Sequence, residues 1–359
     1  MLRLYVPKNL DVEKLLIESN KVRLRKKHIQ RYQYVVSFII YNQLIGKDRK
    51  QINPFVNICQ SKLRDLIGRS LCVEIIKDLQ KWEVIECDHK AKKNSKCYGY
   101  RLGTDYIEVE VKELIISDCE LWDNLKRIQK EEIDECIKDQ HHLLKLNEFL
   151  HQIKINYKEC KKFIDDNFKN DFKQRTARLI VLGKIDEEDY FFKIDSFGKR
   201  LHTNITSLPK DMRQFLSVKD HDQNELKLVE VDIKNSQPLF LYVYLKRYHS
   251  EKINPKEFDH LVQILESGFY EYFMKELNKA DRKKVKEEVY SKLLFNKTVF
   301  SRLTEYEVLF KSRFPSIFKI LSEIKRDNYK NVAEKMQRVE AAFIIDTIAK
   351  RYTMEYPNG

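Results

Sequence analysis

The stretch Leu228 to Leu245, LVEVDIKNSQPLFLYVYL, constrains the architecture more than any other, because two apolar runs are divided by a short polar break. Leu228, Val229, Val231 and Ile233 predict a strand that delivers Asp232 to its end. Asn235, Ser236, Gln237 and Pro238 then break the strand, and a helix is expected to leave from there. A strand end holds a carboxylate rigidly, and the adjacent main-chain carbonyl of Ile233 can reach the same cation, as metal-assisted phosphoryl transfer requires. An Asp before a turn is also an ordinary polar turn residue, so Asp232 acquires meaning only from its surroundings.

Those surroundings belong to a chain of 359 residues with only 8 Gly and 7 Pro, 42% hydrophobic and 34% charged. That balance predicts an α+β, mainly helical, globular protein of two or three domains. No apolar run approaches the roughly 20 residues that span a bilayer, and the N-terminus lacks the apolar core of a secretory signal, so a cytoplasmic protein without a membrane partner is expected. The seven cysteines are scattered and never spaced as CxxC, which indicates neither a disulfide framework nor a zinc site.

Charge divides the chain. Residues 1 to 105 hold 22 Lys and Arg against 11 Asp and Glu, whereas the rest holds 46 against 44. A basic excess confined to one region suits a polyanion, because each neutralised phosphate releases counterions. It also suits a solubilising arm.

A basic segment over 1–30 contains the cluster Lys21 to His28, which fits phosphates or solvent equally well. Residues 33 to 46 predict a buried helix ending at Gly46. Ser61 to Ile67, closed by Gly68, and Ser70 to Trp82, capped by Ser70, predict two more. Val84 to Cys87 and Tyr98 to Leu102 predict strands joined by a tip bearing Lys90, Lys92, Lys93 and Lys96. Over 31–110 this succession of three helices and a basic hairpin resembles a winged helix-turn-helix. The resemblance implies Arg69 and Lys77 in a groove and the four tip lysines on the nucleic-acid backbone. Winged helices also serve protein contacts.

Residues 111–189 read as a helical connector in which His141 and His142, having no partner at ligand spacing, are expected on the surface. From Tyr190 the pattern changes. Two strands flank the turn Asp195-Ser196-Phe197-Gly198, and Ser207-Leu208-Pro209 starts a helix that carries Arg213. Asp281 is expected to cap a helix running through Asn296, on which Arg282, Lys286 and Tyr290 recur every four residues and share a face. Two cations and an aromatic on one face suit a nucleotide, the charges offsetting a triphosphate and the ring stacking on a base. The last helix, Asn331 to Tyr352, carries a core stripe of Val332, Met336, Val339, Phe343 and Thr347, with Gln337 and Glu340 off it.

Residues 190–359 together resemble the palm and fingers of family A DNA polymerases in their divergent phage or mobile-element form. The resemblance implies Asp232 as the motif A metal ligand with Ile233 O, and Mg²⁺ as the cofactor. Arg282 and Lys286 would be triphosphate ligands, and Tyr290 the ring that meets the base. Arg200, Arg213 and Gln337 would lie along the primer–template, and the partners would be a primer–template duplex and deoxynucleoside triphosphates. Gln237 falls near the place where the family keeps a glutamate that excludes ribonucleotides, and Leu294-Phe295 replaces a Tyr-Gly pair. The His-Asp hairpin carrying the second metal-binding carboxylate is missing, since the chain ends at Tyr356-Pro357-Asn358-Gly359 where it should begin. One aspartate cannot hold two cations, so an incomplete, inactive form of a DNA-directed DNA polymerase of DNA replication is expected. The rival is a non-catalytic DNA-binding replication or regulatory protein. Protein partners are not legible.

Overall fold

The computed structural model describes residues 3–21, 28–46, 51–89, 97–138, 140–219 and 222–356. Lys90, Lys92, Lys93 and Lys96, and most of the Lys21 to His28 cluster, lie outside them. The described chain is mainly helical with four small sheets, in agreement with the α+β, mainly helical class. It divides into two compact units, residues 1–139, 147–192 and 203–228 in the first, and 140–146, 193–202 and 229–359 in the second.

In the first unit, β1 (Arg3–Pro7) and α1 (Val12–Glu18) precede the long helix α2 (Ile29–Ile45). There follow β2 (Val56–Ile58), α3 (Gln60–Ile67), α4 (Arg69–Lys81), β3 (Ile85–Cys87) and β4 (Tyr98–Leu102). The three strands form one antiparallel sheet in the order β2-β4-β3, with Ile58 opposite Tyr98 and Cys87 opposite Tyr100. β1 pairs instead with β5 (Val111–Ile115). Neither β1 nor β2 was expected, because each pairs with a strand remote in sequence and no local turn announces it.

α2 supplies the centre of this core through Tyr32, Val35, Val36 and Ile39, all fully buried. Its one buried cation, Arg31, reaches α5 (Cys119–Ile137) by a 2.7 Å bond to Asp118, the N-cap, and a 2.5 Å bond to Glu120. The same guanidinium donates to the Ile67 carbonyl at 3.2 Å, closing the end of α3. Removing Asp118, the buried partner, costs about 3–5 kcal/mol, because the Arg31 charge is then left largely away from water. α4 begins one residue earlier than predicted, and Ser70 is not its cap. Gly68 holds that place with φ +91°, a conformation that glycine adopts without a Cβ clash.

The helices α6 (His141–Gln152), α7 (Tyr157–Asn167) and α8 (Phe172–Asp186) follow, with the short strand β6 (Lys154–Ile155) between the first two; the region is helical, and its residues from 147 onward belong to the first unit. His142 departs from its surface expectation. Its side chain is 11% exposed, with Nε2 3.8 Å from Asp346, and burial pushes its pKa down.

β7 (Phe192–Ile194) and β8 (Leu201–Thr203) form the predicted hairpin, and β9 (Leu216–Lys219) and β10 (Glu225–Lys227) end the first unit's sheets. Beyond them the second unit is helical: α9 (Ser236–His249), α10 (Pro255–Ser267), α11 (Phe269–Glu276), α12 (Arg282–Val289), α13 (Glu305–Arg313), α14 (Pro315–Lys325) and α15 (Asn331–Ala341). Its core is aromatic, with Phe269, Tyr270, Phe273, Tyr306, Phe310 and Phe314 nearly sealed from solvent. Glu257 on α10 accepts the Ser316 and Ile317 amides at 3.0–3.1 Å, capping α14 from a neighbouring helix.

Two expectations fail here for a physical reason. The stretch 228–235 is not a strand, and Val229 and Val231 are 87% and 90% exposed. A strand is stable only where a neighbour completes its ladder, and no described segment pairs with it. The core stripe of the last helix also stops early. After Ala341 the backbone widens into π-type turns over Ala342–Ala349, which shifts the register. Ile345 is buried there, while Phe343 is 43% exposed and Thr347 is exposed.

Candidate functional site

The hairpin tip at 195–200 is built around Asp195, whose carboxylate accepts the backbone amides of Gly198 at 2.6 Å and Arg200 at 3.0 Å and lies 3.2 Å from His202 Nε2. Burial works upward on this carboxyl, but the donors prevail and hold it below its usual range. The turn rests on α15. Arg338 donates to the carbonyls of Phe197 and Ser196, and a Cβ on Gly198 would stand 2.5 Å from Gln337 Oε1. A side chain at this position would have to displace Gln337.

From this seat Arg200 forms an ion pair with Glu340 on α15. Gln237, in the first turn of α9, donates to the same carboxylate at 3.0 Å. The charges of Glu340 and Arg200 also act on the phenol of Tyr290, whose pKa is raised first by burial and then by Glu340. Three elements from distant parts of the sequence thus meet at Glu340, two of them through expected site residues, and its charge reaches a third such residue, Tyr290. Glu340 itself was noted only as lying off the core stripe.

Around Tyr270 a second convergence forms. Asp281 caps α12 through the Lys284 amide, as predicted. The Arg282 guanidinium and the Lys286 ammonium lie 5.3 and 5.8 Å from the centre of the Tyr270 ring. Tyr290 Oη is 2.6 Å from Tyr270 Oη. One ring therefore touches all three residues of the predicted face, which shows that they share it.

Arg282 also bonds Glu271 at 2.5 Å. Glu271 is held below the usual carboxylate range, first by that bond and in smaller part by the Lys234 charge. Tyr290 is stacked on Phe295 at 5.4 Å and 11°, so one face of its ring is occupied.

Asp232 is exposed, and Ile233 is half-buried. Among the described residues no group of three or more His, Cys, Asp or Glu is placed to hold a metal ion. Arg213 lies in the first unit, on a short 3₁₀ turn, with Nε donating to the Leu208 carbonyl at 3.3 Å.

In the first unit Arg69 and Lys77 on α4 are both exposed. Their neighbours Cys72, Ile75, Ile76 and Leu79 face the core.

No protein-family model, curated protein or solved structure matches the chain.

Tyr270, Glu271 and Glu340 carry the site as much as the expected residues do. Gln337 and Glu340 are three apart on one helix, the spacing of neighbours on a face, and that was the one signal the sequence held. Nothing local marks Tyr270, one aromatic among 19 tyrosines and 20 phenylalanines.

Proposed function

We propose that the second unit is the nucleotide- and primer-handling part of a family A-like DNA polymerase, and that the region from α2 to β4 is a winged helix that binds DNA. The observation that carries the first part is the meeting of Arg200 and Gln237 at Glu340, whose charge also reaches Tyr290, three residues that the resemblance assigns to primer, sugar and base. Arg282 and Lys286, exposed on one ring, are the proposed triphosphate ligands, where two fixed cations offset the charge of phosphoryl transfer. Arg200 and Gln337 are the proposed contacts to the primer–template duplex. The helix-strand-helix-helix-strand-strand order, with the sheet ordered β2-β4-β3, supports the winged-helix reading. Arg69 and Lys77 are its proposed contacts.

The reaction proposed for the complete machinery is template-directed transfer of a nucleotidyl group to a primer 3′ hydroxyl. Mg²⁺ would there carry the attacking and leaving oxygens. Asp232 and the Ile233 carbonyl are the ligands proposed for it in this chain, and one carboxylate does not fit a two-metal site.

A non-catalytic DNA-binding replication or regulatory protein is the second reading. It is favoured by the exposure of Asp232 on an irregular stretch rather than at a rigid strand end. Photo-crosslinking with an azido-deoxynucleoside triphosphate in the presence of primer–template separates the two. Labelling within α12 or Tyr290–Phe295, competed by unmodified triphosphate, supports the polymerase reading. DNA binding without competed labelling supports the second.

A further inference from the structure

Cys59 and Cys97 lie at the two ends of a shared strand ladder. β2 and β4 pair antiparallel with Ile58 opposite Tyr98, so one further step along the ladder brings Cys59 opposite Cys97. The Cys97 thiol is close enough to the Cys59 sulfur to favour its thiolate. Both residues are half-buried, and neither sulfur is in a disulfide. Cys59 is also the N-cap residue of α3, where the helix presents unpaired amides.

We propose that Cys59 and Cys97 are a reactive thiol pair that a low-molecular-weight disulfide converts, reversibly, to an intramolecular disulfide joining the start of α3 to the start of β4.

The roles of the two sulfurs follow from their surroundings. Cys59 Sγ lies 3.0 Å from Ser61 Oγ and faces the Lys62 amide, and these two donors, the hydroxyl more than the amide, bring its thiol down to about 7. The Lys62 ammonium feels the Cys59 charge in turn. At neutral pH about half of Cys59 is thiolate, roughly 15-fold more than for an unperturbed thiol, and the accompanying loss of intrinsic nucleophilicity is about 5-fold. The net advantage is about 3-fold. Access is provided by an open cavity of about 460 Å³ whose wall includes Cys59, Asn57, Lys62 and Trp122.

Cys59 is therefore the attacking group and Cys97 the resolving one. The Cys59 thiolate attacks one sulfur of the small disulfide R–S–S–R, forming a mixed disulfide and expelling R–S⁻. Cys97 loses its proton to that thiolate and attacks the Cys59 sulfur, closing the Cys59–Cys97 bond and expelling the second R–S⁻, which takes a proton from water. The proton released earlier by Cys59 balances it. The two protein thiols are oxidised by two electrons, and the small disulfide is reduced to two thiols.

The other cysteines provide the contrast. Burial pushes the thiols of Cys72 and Cys160 up to about 11 and about 12, and neither sulfur is in a thiolate-favouring place. Cys119 is exposed and serves as the internal reference for an accessible thiol.

The test uses the full chain with oxidised glutathione as the probe, followed by alkylation, digestion without reduction and mass spectrometry. The expected product is a linked pair of peptides containing Cys59 and Cys97, lighter by two hydrogens than the reduced pair and restored by dithiothreitol. Cys97→Ser should stop the reaction at a glutathione adduct on Cys59, and Cys59→Ser should leave Cys97 reacting no faster than Cys119. The proposal is overturned if the wild-type chain retains glutathione on Cys59 without closing the bond. It is equally overturned if Cys119 reacts before Cys59, or if Cys97 pairs with another cysteine. Because the wild-type measurement decides alone, the outcome does not depend on the folding of either variant.

Discussion

Gln237 donates a 3.0 Å hydrogen bond to Glu340, 103 positions further along the chain, and shares that carboxylate with Arg200. The first turn of α9, the hairpin tip and α15 are thereby tied to one another through a single side chain that is 16% exposed. Glu340→Ala leaves the Arg200 charge and the Gln237 amide without their acceptor. Arg200 is 38% exposed, so water screens much of the loss. The expected destabilisation is about 1 kcal/mol, read as a lower urea midpoint with an unchanged slope. Glu340→Gln, which keeps an acceptor, should lose less.

Lys325 gives a pH dependence of defined sign. Its buried ammonium donates to the Leu293 carbonyl, to Asn296 Oδ1 at 3.1 Å and to Thr298 Oγ1 at 3.4 Å. Burial lowers its pKa from 10.5 to about 8, against the smaller upward pull of Glu307. Between the folded and unfolded values the unfolded chain binds more protons, so stability must rise with pH through that window. The penalty carried by the charged form below about pH 8 is on the order of 3 kcal/mol, and it is relieved progressively up to about pH 10.5. Urea titrations across that range should show the wild type gaining stability relative to Lys325→Met as pH rises. Parallel pH profiles would contradict it.

Arg69 and Lys77 are exposed on α4, which makes them cheap to change without touching the core. Reversing both charges should weaken duplex DNA binding and reduce the slope of log affinity against log salt by about one for each phosphate that is no longer neutralised. Electrophoretic mobility shifts at a series of salt concentrations measure both quantities. An unchanged slope would remove α4 from the DNA interface.

The helices around Tyr270 were readable because their signals are local. Asp281 caps α12, and the four-residue spacing of Arg282, Lys286 and Tyr290 places them on one ring. The hairpin at 192–203 announced itself by its turn. What was not readable depends on partners remote in sequence. Leu228 to Ile233 has the composition of a strand, but among the described residues no neighbour completes its ladder, and composition cannot show that. Tyr270 matters only because α11 packs beside α12, and Glu340 only because the hairpin tip rests on α15. The π-type turns after Ala341 add residues to the helical register that the stripe Phe343–Thr347 presumed to be regular.

The most direct test of the central claim is an equilibrium titration of the full chain with a deoxynucleoside triphosphate in the presence of primer–template, for the wild type, Lys286→Ala and Arg282→Ala. Losing one charge-assisted bond to a phosphate costs about 1.5–3 kcal/mol, or about 10- to 100-fold in affinity. The wild type should bind saturably, and each substitution should weaken binding at least about 10-fold, with DNA affinity unchanged. Absence of saturable binding, or equal affinity in all three proteins, would contradict it.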